Sequence, residues 1–336
     1  MMIRYLIFIL TNDCNLNCIY CYRGNQSKQQ AMTVDMITEC IEKYMQHDSP
    51  CHVQLTGGEP TLRPELIEHT AQFIRKKKAK ASIAIQTNAT LLDESLIKMF
   101  QKYQIQVGVS LDGPLDIQEK LRGNASETFK GLKRLECHEV PFRVTTVVSQ
   151  QNIEYLHKTV LLLSSFSNAL GIGLDLLIQK GRAKNAETIT PATPDVLEKS
   201  IKQMLVSLDA INLRRHSKLR FREKDTIVNA HKIRQLNPFF CHAAKNESLC
   251  VTPDGFLYPC SQTAGDERFV MGTIEKPNKS KPLLLKDYAL SHHNCDDCSL
   301  TGFCPGDCYS RQFYNNNAGQ SLTCVMYQKI LNHMRK

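Results

Sequence analysis

The 336-residue sequence has no tryptophan and no apolar run near its start that is long enough to cross a membrane. A spanning helix needs about 20 apolar residues, whereas the run Tyr5–Leu10 covers six positions. No small-residue cleavage site follows this run, so a signal peptide is not expected either. We therefore expect a cytoplasmic protein without a membrane anchor.

A nucleic-acid partner is also not expected. Lys and Arg total 42 against 33 Asp and Glu, and the resulting net charge of +9 is spread along the chain. No Lys/Arg-rich stretch alternates with aromatic residues as it does on single-strand-binding surfaces. With 42% hydrophobic and 22% charged residues, the composition excludes a disordered chain.

Cysteine, in contrast, is abundant. The chain has 14 cysteines, and in a reducing cytosol such cysteines are expected to bind metal rather than to form disulfides. Two groups and three scattered positions are present: Cys14, Cys18 and Cys21; Cys241, Cys250, Cys260, Cys295, Cys298, Cys304, Cys308 and Cys324; and Cys40, Cys51 and Cys137. We expect the scattered cysteines to be small buried hydrophobic residues.

Short β-branched runs alternate with amphipathic stretches over the first half of the chain. Strands are predicted at Tyr5–Leu10, His52–Leu55, Ser82–Gln86, Gln106–Leu111, Arg143–Val148 and Gly173–Ile178. Helices are predicted at Val34–Met45, Glu65–Lys77, Asp93–Tyr103, Glu127–His138, Ile153–Ser164 and Asp195–Asp209. This alternation predicts an α/β fold of parallel βαβ units, either a doubly wound sheet or a barrel, with functional groups at the carboxyl ends of the strands.

Three regions are expected along the chain. Residues 1–180 carry the βα pattern, residues 181–240 form a helical and basic linker, and residues 241–336 are cysteine-rich and loop-like. Because the last region is rich in Pro, Gly, Asn and Asp, we expect it to bury few apolar side chains and to depend on metal ligation.

The first cysteine group directly follows the first predicted strand. The thiolates of Cys14, Cys18 and Cys21 can bind one iron–sulfur cluster, which normally has four cysteine ligands. With three protein ligands, one iron of a four-iron cluster stays open to another group. A structural zinc site requires a fourth ligand, and none stands nearby at suitable spacing.

The pattern Cys14-x3-Cys18-x2-Cys21, with Tyr20 before the last cysteine, resembles the signature of the radical S-adenosylmethionine (SAM) superfamily. The segment Thr56-Gly57-Gly58-Glu59-Pro60 resembles the second motif of that superfamily. Its glycines permit close backbone approach to a ligand, and Glu59 offers a carboxylate to an ammonium group. The resemblance implies a partial (β/α)6 TIM-like barrel that binds a [4Fe-4S] cluster and SAM.

The resemblance further implies that polar groups at the strand ends contact SAM. The implied SAM-binding residues are Tyr20, Gly57, Gly58, Glu59, Asn88, Ser110, Asp112 and Arg143. From the residues alone, Tyr20 can also be a core aromatic, Asn88 a turn residue and Arg143 a surface residue. No general base is identified.

The second cysteine group contains eight thiols, enough for two four-iron clusters without an open iron. Its Cys-x2-Cys spacing alone favours two zinc sites. The order of all eight resembles the SPASM domain, an auxiliary-cluster extension of radical SAM enzymes that modify peptides and proteins. That resemblance implies one cluster on Cys241, Cys250, Cys260 and Cys308 and another on Cys295, Cys298, Cys304 and Cys324.

Together the resemblances imply a radical SAM enzyme with three [4Fe-4S] clusters, which cleaves SAM reductively to a 5′-deoxyadenosyl radical. The expected substrate is a ribosomally made precursor peptide that receives a thioether or carbon–carbon crosslink, with ferredoxin or flavodoxin as electron donor and an anaerobic host. One alternative is an anaerobic sulfatase maturase, which forms formylglycine; that family has Asp after the Pro-Cys of the first auxiliary site, where this chain has Pro259-Cys260-Ser261. The other alternative is a non-enzymatic zinc-binding adaptor.

Binding of a peptide leader is a separate question, because Cys14 lies too near the start for a leader-binding domain to precede it. We expect either a separate leader-binding protein or binding of an acidic leader by the basic segment. That segment contains Arg214, Arg215, Lys218, Arg220 and Arg222. A solvated helix face is the simpler interpretation of these charges.

Overall fold

The computed structural model describes residues 2–24, 30–46, 48–184, 187–232, 240–278, 295, 297–316 and 321–335. The strands in these ranges are β1 (Tyr5–Ile9), β2 (Cys51–Thr56), β3 (Ala81–Thr87), β4 (Ile105–Ser110), β5 (Phe142–Val148), β6 (Ala169–Leu176), β7 (Arg220–Phe221), β8 (Ser248–Val251) and β9 (Leu257–Tyr258). The α-helices are α1 (Val34–Tyr44), α2 (Pro64–Lys76), α3 (Glu94–Lys102), α4 (Leu115–Arg122), α5 (Ala125–Cys137), α6 (Leu156–Ser164), α7 (Pro194–Arg214), α8 (Arg222–Lys232), α9 (Tyr309–Asn315) and α10 (Leu322–Met334).

The described strands form one mostly parallel sheet in the order β7-β6-β5-β4-β3-β2-β1-β8-β9. Each strand from β1 to β7 lies beside its predecessor, whereas the strand order of a doubly wound sheet reverses at a switch point. This regular progression is that of a barrel that has not closed. The structure confirms the predicted α/β class, and of the two topologies left open by the sequence it has the barrel-like one.

The sequence of strand β1 is continuously apolar because both faces of the strand are buried. The side chains of Leu6 and Phe8 belong to the main hydrophobic core, while Ile7 and Ile9 pack into a second cluster that contains Cys250 and two aromatic rings. A strand covered on both faces has no solvent side, so its polar alternation disappears. All four of these side chains are buried.

The predicted helices are present with ends shifted by a few residues, and the starts of two of them are explained by single residues. The Thr33 hydroxyl accepts a hydrogen bond from the Met36 amide and caps α1. Pro64 occupies the first turn of α2, where its missing N–H costs nothing. The helical stretch predicted from Ile153 begins with a short 3₁₀ turn before α6.

The expectation that the chain from residue 241 onward buries few apolar side chains is wrong. Strand β8 pairs in parallel with β1, at the edge of β1 opposite to β2. Helix α10 buries Val325, Tyr327 and Ile330. The sequence did not reveal β8 because its apolar run has only four residues and its pairing partner lies near the chain start. The region boundaries at 180 and 240 stay a prediction.

Two of the three scattered cysteines, Cys40 and Cys51, are buried as expected, but Cys137 is exposed at the end of α5.

The basic segment contains a residue that contributes to the fold. The Arg215 guanidinium donates hydrogen bonds to the carbonyls of Phe166 and Ala169, and so connects the end of α7 to the α6–β6 connection. Among the described residues, no helix is both long and apolar enough to span a membrane.

Candidate radical SAM active site

A cavity of about 840 Å³ opens at the carboxyl ends of the parallel strands. Nine of the site residues expected from the sequence line it: Cys14, Cys18, Tyr20, Cys21, Gly57, Gly58, Glu59, Asn88 and Ser110. They come from loops after β1, β2, β3 and β4, which the parallel sheet brings to one edge. The sequence-derived cysteine and Gly-Gly-Glu motifs therefore lie in one concave site.

The loop with the three cysteines is fixed by hydrogen bonds from two distant segments. Its Ile19 amide donates to the carbonyl of Leu121, at 3.0 Å. Arg182 binds it twice, through its amide to the Cys21 carbonyl and through its guanidinium to the Cys18 carbonyl, both at 3.0 Å. The loop conformation thus depends on α4 and on the segment after β6, both of which are far from the loop in the sequence.

The three thiols of this loop lie near one another in a partly buried environment. The pKa of Cys14 is raised to about 11, mainly by burial, with smaller contributions from the Glu59 carboxylate and the thiols of Cys18 and Cys21. Burial also raises the pKa of Cys18, against the opposing effect of Arg122. Three adjacent thiolates are unfavourable here without a cationic partner, which is what an iron cluster supplies.

The two glycines are required by the close approach of the loops after β1 and β2. A Cβ on Gly57 would lie 2.6 Å from the carbonyl oxygen of Thr11, and one on Gly58 would overlap the carbonyl of Asp13. The same approach forms two backbone hydrogen bonds, from Gly58 to Thr11 at 2.7 Å and from Glu59 to Asp13 at 2.8 Å. The Gly-Gly-Glu motif therefore fixes the cysteine loop as well as lining the cavity.

The Glu59 carboxylate is almost fully buried and is already hydrogen-bonded by the protein. It accepts hydrogen bonds from the Thr61 amide and hydroxyl at 3.1 and 2.6 Å, from the Thr87 hydroxyl at 2.6 Å and from the Asn88 amide at 2.8 Å. Burial raises its pKa, and these hydrogen bonds oppose the rise. Glu59 therefore joins the loops after β2 and β3, a role that the sequence did not indicate.

Asn88 and Ser110 occupy strand ends that face the cavity. The Asn88 side chain donates to the Asn15 side-chain oxygen at 2.9 Å, which connects the loop after β3 to the cysteine loop. The Ser110 hydroxyl accepts a hydrogen bond from Gln86 at 2.9 Å. Both positions agree with the location expected for SAM-contacting groups.

The structure does not bring the other two expected SAM contacts to the cavity. Arg143 is exposed near the start of β5, at the amino edge of the sheet, because it opens its strand rather than ending it. Asp112 is completely buried, and its carboxylate binds the guanidinium of Arg122 and the hydroxyl of Tyr20. Asp112 is thus a structural carboxylate behind the cysteine loop.

Three of the eight C-terminal cysteines, Cys241, Cys260 and Cys308, line a neighbouring cavity of about 490 Å³. Burial raises the pKa of Cys241 to about 12, and Cys308 and Cys260 add to the rise. Cys250 is fully buried in β8, and burial followed by the nearby Cys260 thiol raises its pKa. The thiols of this set therefore lie close enough to influence one another's pKa, and the ligand set itself stays a prediction.

The other four C-terminal cysteines, Cys295, Cys298, Cys304 and Cys324, form a third group beside α10. Burial raises the pKa of Cys324 to about 11, with contributions from Cys304, Asp307, Cys295 and Cys298 in that order. Within the described ranges, no three His, Cys, Asp or Glu side chains converge closely enough to hold a single metal ion.

The two cavities meet, and sequence analysis missed the residues at the junction. Seven residues line both cavities: Tyr5, Ile7, Asp175, Leu176, Arg222, Ser261 and Gln262. Asp175 is a polar residue inside the predicted strand Gly173–Ile178, whereas the observed strand β6 ends one residue after it. Arg222 was assigned to a basic surface segment, because nothing in the sequence shows that α8 begins at the sheet edge.

Comparisons with known proteins agree with this geometry. Residues 8–163 match the family model of the Radical SAM superfamily. The chain is 32% identical over 286 residues to the uncharacterized protein MJ0907 of Methanocaldococcus jannaschii, which covers 83% of this chain and 91% of that protein. It is 25% identical over 337 residues to the cysteine-type anaerobic sulfatase-maturating enzyme of Clostridium perfringens, covering 90% of this chain and 88% of the relative.

Solved structures share the fold over nearly the whole chain. The structure of anSMEcpe with bound AdoMet has a TM-score of 0.79 at 20% identity and covers 98% of this chain and 96% of that one. The structure of Streptococcus suis SuiB bound to precursor peptide SuiA has a TM-score of 0.65 at 17% identity, over 92% of this chain and 72% of that one. The chain therefore belongs to the radical SAM superfamily, and it is a radical SAM enzyme of the SPASM-type maturase group.

Proposed function

We propose that this enzyme uses SAM to modify a residue of a ribosomally made precursor peptide by forming a thioether or carbon–carbon crosslink. The observation that carries the proposal is the junction of the two cavities, where seven residues are shared between the Cys14–Cys21 site and the Cys241–Cys308 site. A substrate residue at this junction can reach both sites. SuiB, which shares the fold, has been solved with a bound precursor peptide.

The proposed cofactors are SAM and three [4Fe-4S] clusters. Cys14, Cys18 and Cys21 would hold the SAM-binding cluster, and the two auxiliary clusters would have the ligand sets implied by the SPASM resemblance. The buried, mutually interacting thiols fit such clusters, because a metal stabilises thiolates that burial alone disfavours. When bound, the first cluster and SAM supply the 5′-deoxyadenosyl radical that removes hydrogen from the substrate.

The protein's own residues would position these groups. Tyr20, Gly57, Gly58, Asn88 and Ser110 line the cavity within reach of a nucleoside cofactor. Glu59, whose carboxylate is already bound by four donors, would act mainly by holding the loops after β2 and β3 in place. Walls of this kind also exclude water from the reacting carbon.

The proposal has two further parts. An electron donor such as ferredoxin or flavodoxin would reduce the first cluster. Leader binding would fall to a separate protein, because three of the five basic residues of the segment make contacts within the fold: Arg215 binds backbone carbonyls, Arg220 pairs with Asp225, and Arg222 lies in the cavity junction.

The experiment that tests the proposal uses the anaerobically reconstituted enzyme with SAM, dithionite and a cysteine-containing peptide encoded next to the gene. We expect the peptide to lose two hydrogens, measured as a mass decrease of about 2 Da, with formation of 5′-deoxyadenosine. An unchanged peptide mass under conditions in which SAM is cleaved would contradict the peptide-crosslinking proposal.

One observation favours a second candidate, sulfatase maturation. Sequence similarity to a cysteine-type anaerobic sulfatase-maturating enzyme extends over 90% of this chain. Against it stands Ser261, which lines the junction at the position where the sulfatase-maturating family has an Asp. A sulfatase peptide with one cysteine distinguishes the candidates, since its conversion to formylglycine would favour the second one.

A further inference from the structure

Asp175 occupies the junction of the two cavities. It is the penultimate residue of β6, at the carboxyl edge of the sheet, and it lines both cavities together with Ser261 and Gln262. Its side chain is 45% exposed, so a ligand in the junction can reach it. Among the described residues, it is the only carboxylate that lines both cavities.

The other acidic residues of the cavities are engaged elsewhere. The Glu59 carboxylate accepts four hydrogen bonds from the protein. Asp13 pairs with Arg63 at 3.4 Å. Glu223 is buried and accepts a hydrogen bond from the Leu174 amide. None of these three is placed to contact a substrate residue between the two cysteine groups.

Arg222 fixes the orientation of Asp175. Its Nη2 donates to Asp175 Oδ1 at 2.7 Å and to the Leu174 carbonyl at 2.7 Å, while its Nε donates to Glu223 Oε1 at 2.8 Å. The Arg222 guanidinium can lie against β6 because residue 173 is a glycine. A Cβ at Gly173 would lie 2.8 Å from the Arg222 Cζ.

Asp175 and Glu223 share the single guanidinium of Arg222, so two carboxylates face one cation. The Oδ2 of Asp175 has no hydrogen bond in the described part of the chain. The other charged or titratable groups that face Asp175 are Tyr5 on β1 and Arg311 on α9, and Arg311 is paired with Asp307.

We propose that Asp175 contacts the substrate residue and accepts the proton that its side chain loses on oxidation. In thioether formation, a C–H bond and the cysteine S–H bond of the substrate break and a C–S bond forms. The hydrogen atom of the carbon goes to the SAM-derived radical, giving 5′-deoxyadenosine, and the proton of the thiol goes to Asp175 Oδ2. The remaining electron would go to an oxidised iron–sulfur cluster held by Cys241 and the thiols near it. The net change is loss of two hydrogens from the substrate. This role rests on the proposed peptide-modifying function.

The test compares Asp175→Asn with Asp175→Glu and Asp225→Asn, using the reconstituted enzyme and the cysteine peptide. The main readout is the ratio of 5′-deoxyadenosine to modified peptide. We expect a ratio near one for the wild type, and a rise of about tenfold or more for Asp175→Asn because cofactor cleavage loses its coupling to product. Asp175→Glu, which keeps the carboxylate, and the exposed-pair control Asp225→Asn should stay within about twofold of the wild type.

A pH profile separates proton transfer from a structural role. A free cysteine thiol has a pKa of about 8.5. Product formation by Asp175→Asn should therefore rise about tenfold per pH unit between pH 6.5 and 8, whereas the wild-type rate should change little. Asp175→Ala should regain product formation about tenfold on addition of 100 mM formate, with unchanged iron content as evidence of folding.

The outcomes are distinct. Normal coupling and a wild-type pH profile in Asp175→Asn would overturn the role of Asp175, as would equal loss of coupling in Asp225→Asn. If Asp175→Asn does not fold, absence of formate rescue in a folded Asp175→Ala overturns it. If the wild type modifies no peptide, the proposed function fails first, and the role of Asp175 fails with it.

Discussion

The guanidinium of Arg122 donates two hydrogen bonds to the fully buried carboxylate of Asp112, from Nε at 2.8 Å and from Nη2 at 3.2 Å. Tyr20 donates its hydroxyl hydrogen to the same carboxylate, and its ring lies 5.3 Å from the Arg122 Cζ. Because Tyr20 lies between Cys18 and Cys21, this ion pair supports the loop that carries the first three thiols.

Asp112→Asn should therefore destabilise the protein strongly. The substitution leaves the buried Arg122 charge without its carboxylate, and loss of one partner of a buried ion pair costs about 3–5 kcal/mol. The free energy of unfolding in urea checks this. The matched control is Asp225→Asn, whose pair with Arg220 is half exposed and should contribute no more than about 1 kcal/mol.

Gly58→Ala should displace the cysteine loop, because the added Cβ overlaps the backbone of Asp13. After anaerobic reconstitution we expect about eight irons per chain instead of about twelve, since the four irons of one cluster are lost. Cys137→Ser, at an exposed position outside the cysteine groups, should keep the full iron content. Equal iron content in the two variants would contradict the role of Gly58.

Glu59→Gln should weaken the join between the loops after β2 and β3. The side-chain NH2 of glutamine would face protein groups that are themselves donors. A buried donor left without an acceptor costs about 1–3 kcal/mol. Affinity for SAM, measured by calorimetry under anoxic conditions, should fall about tenfold. Glu65→Gln, at an exposed position of α2, should change the unfolding free energy by less than about 0.5 kcal/mol.

His52 should make the stability depend on pH. Burial lowers the pKa of His52 below its ordinary value, so below about pH 6.5 the unfolded state binds more protons than the folded state. Stability is therefore complete above this pH and decreases on acidification towards the folded-state pKa. Unfolding midpoints at pH 7.5 and 5.5 should differ less for His52→Gln than for the wild type, and the exposed His216→Gln should behave like the wild type.

Much of the barrel and of the first site was predictable from the sequence. The β-branched runs marked β1 to β6 to within a few residues, and the parallel arrangement then required the Cys14 and Gly57 loops to meet at one edge. These elements depend on local periodicity and on a few topological rules, which a single sequence carries.

The parts that were missed depend on tertiary contacts. Helix α4 is short and polar, so no pattern in the sequence indicates that Arg122 pairs with Asp112. Arg143 was predicted to contact SAM, but it lies near the start of β5 and therefore at the edge of the sheet opposite to the cavity. The proximity of Asp175 to Ser261 arises only when β8 pairs with β1 and brings the second cysteine group beside the sheet edge.

The most direct test of the account is reductive cleavage of SAM by the anaerobically reconstituted enzyme, with 5′-deoxyadenosine measured by mass spectrometry. The wild type and Cys137→Ser, which changes an exposed cysteine outside the three groups, should both form 5′-deoxyadenosine. A variant with Cys14, Cys18 and Cys21 all replaced by alanine should form none while retaining about eight irons. Formation of 5′-deoxyadenosine by that variant, or its absence in a wild type that binds iron, would contradict the central claim.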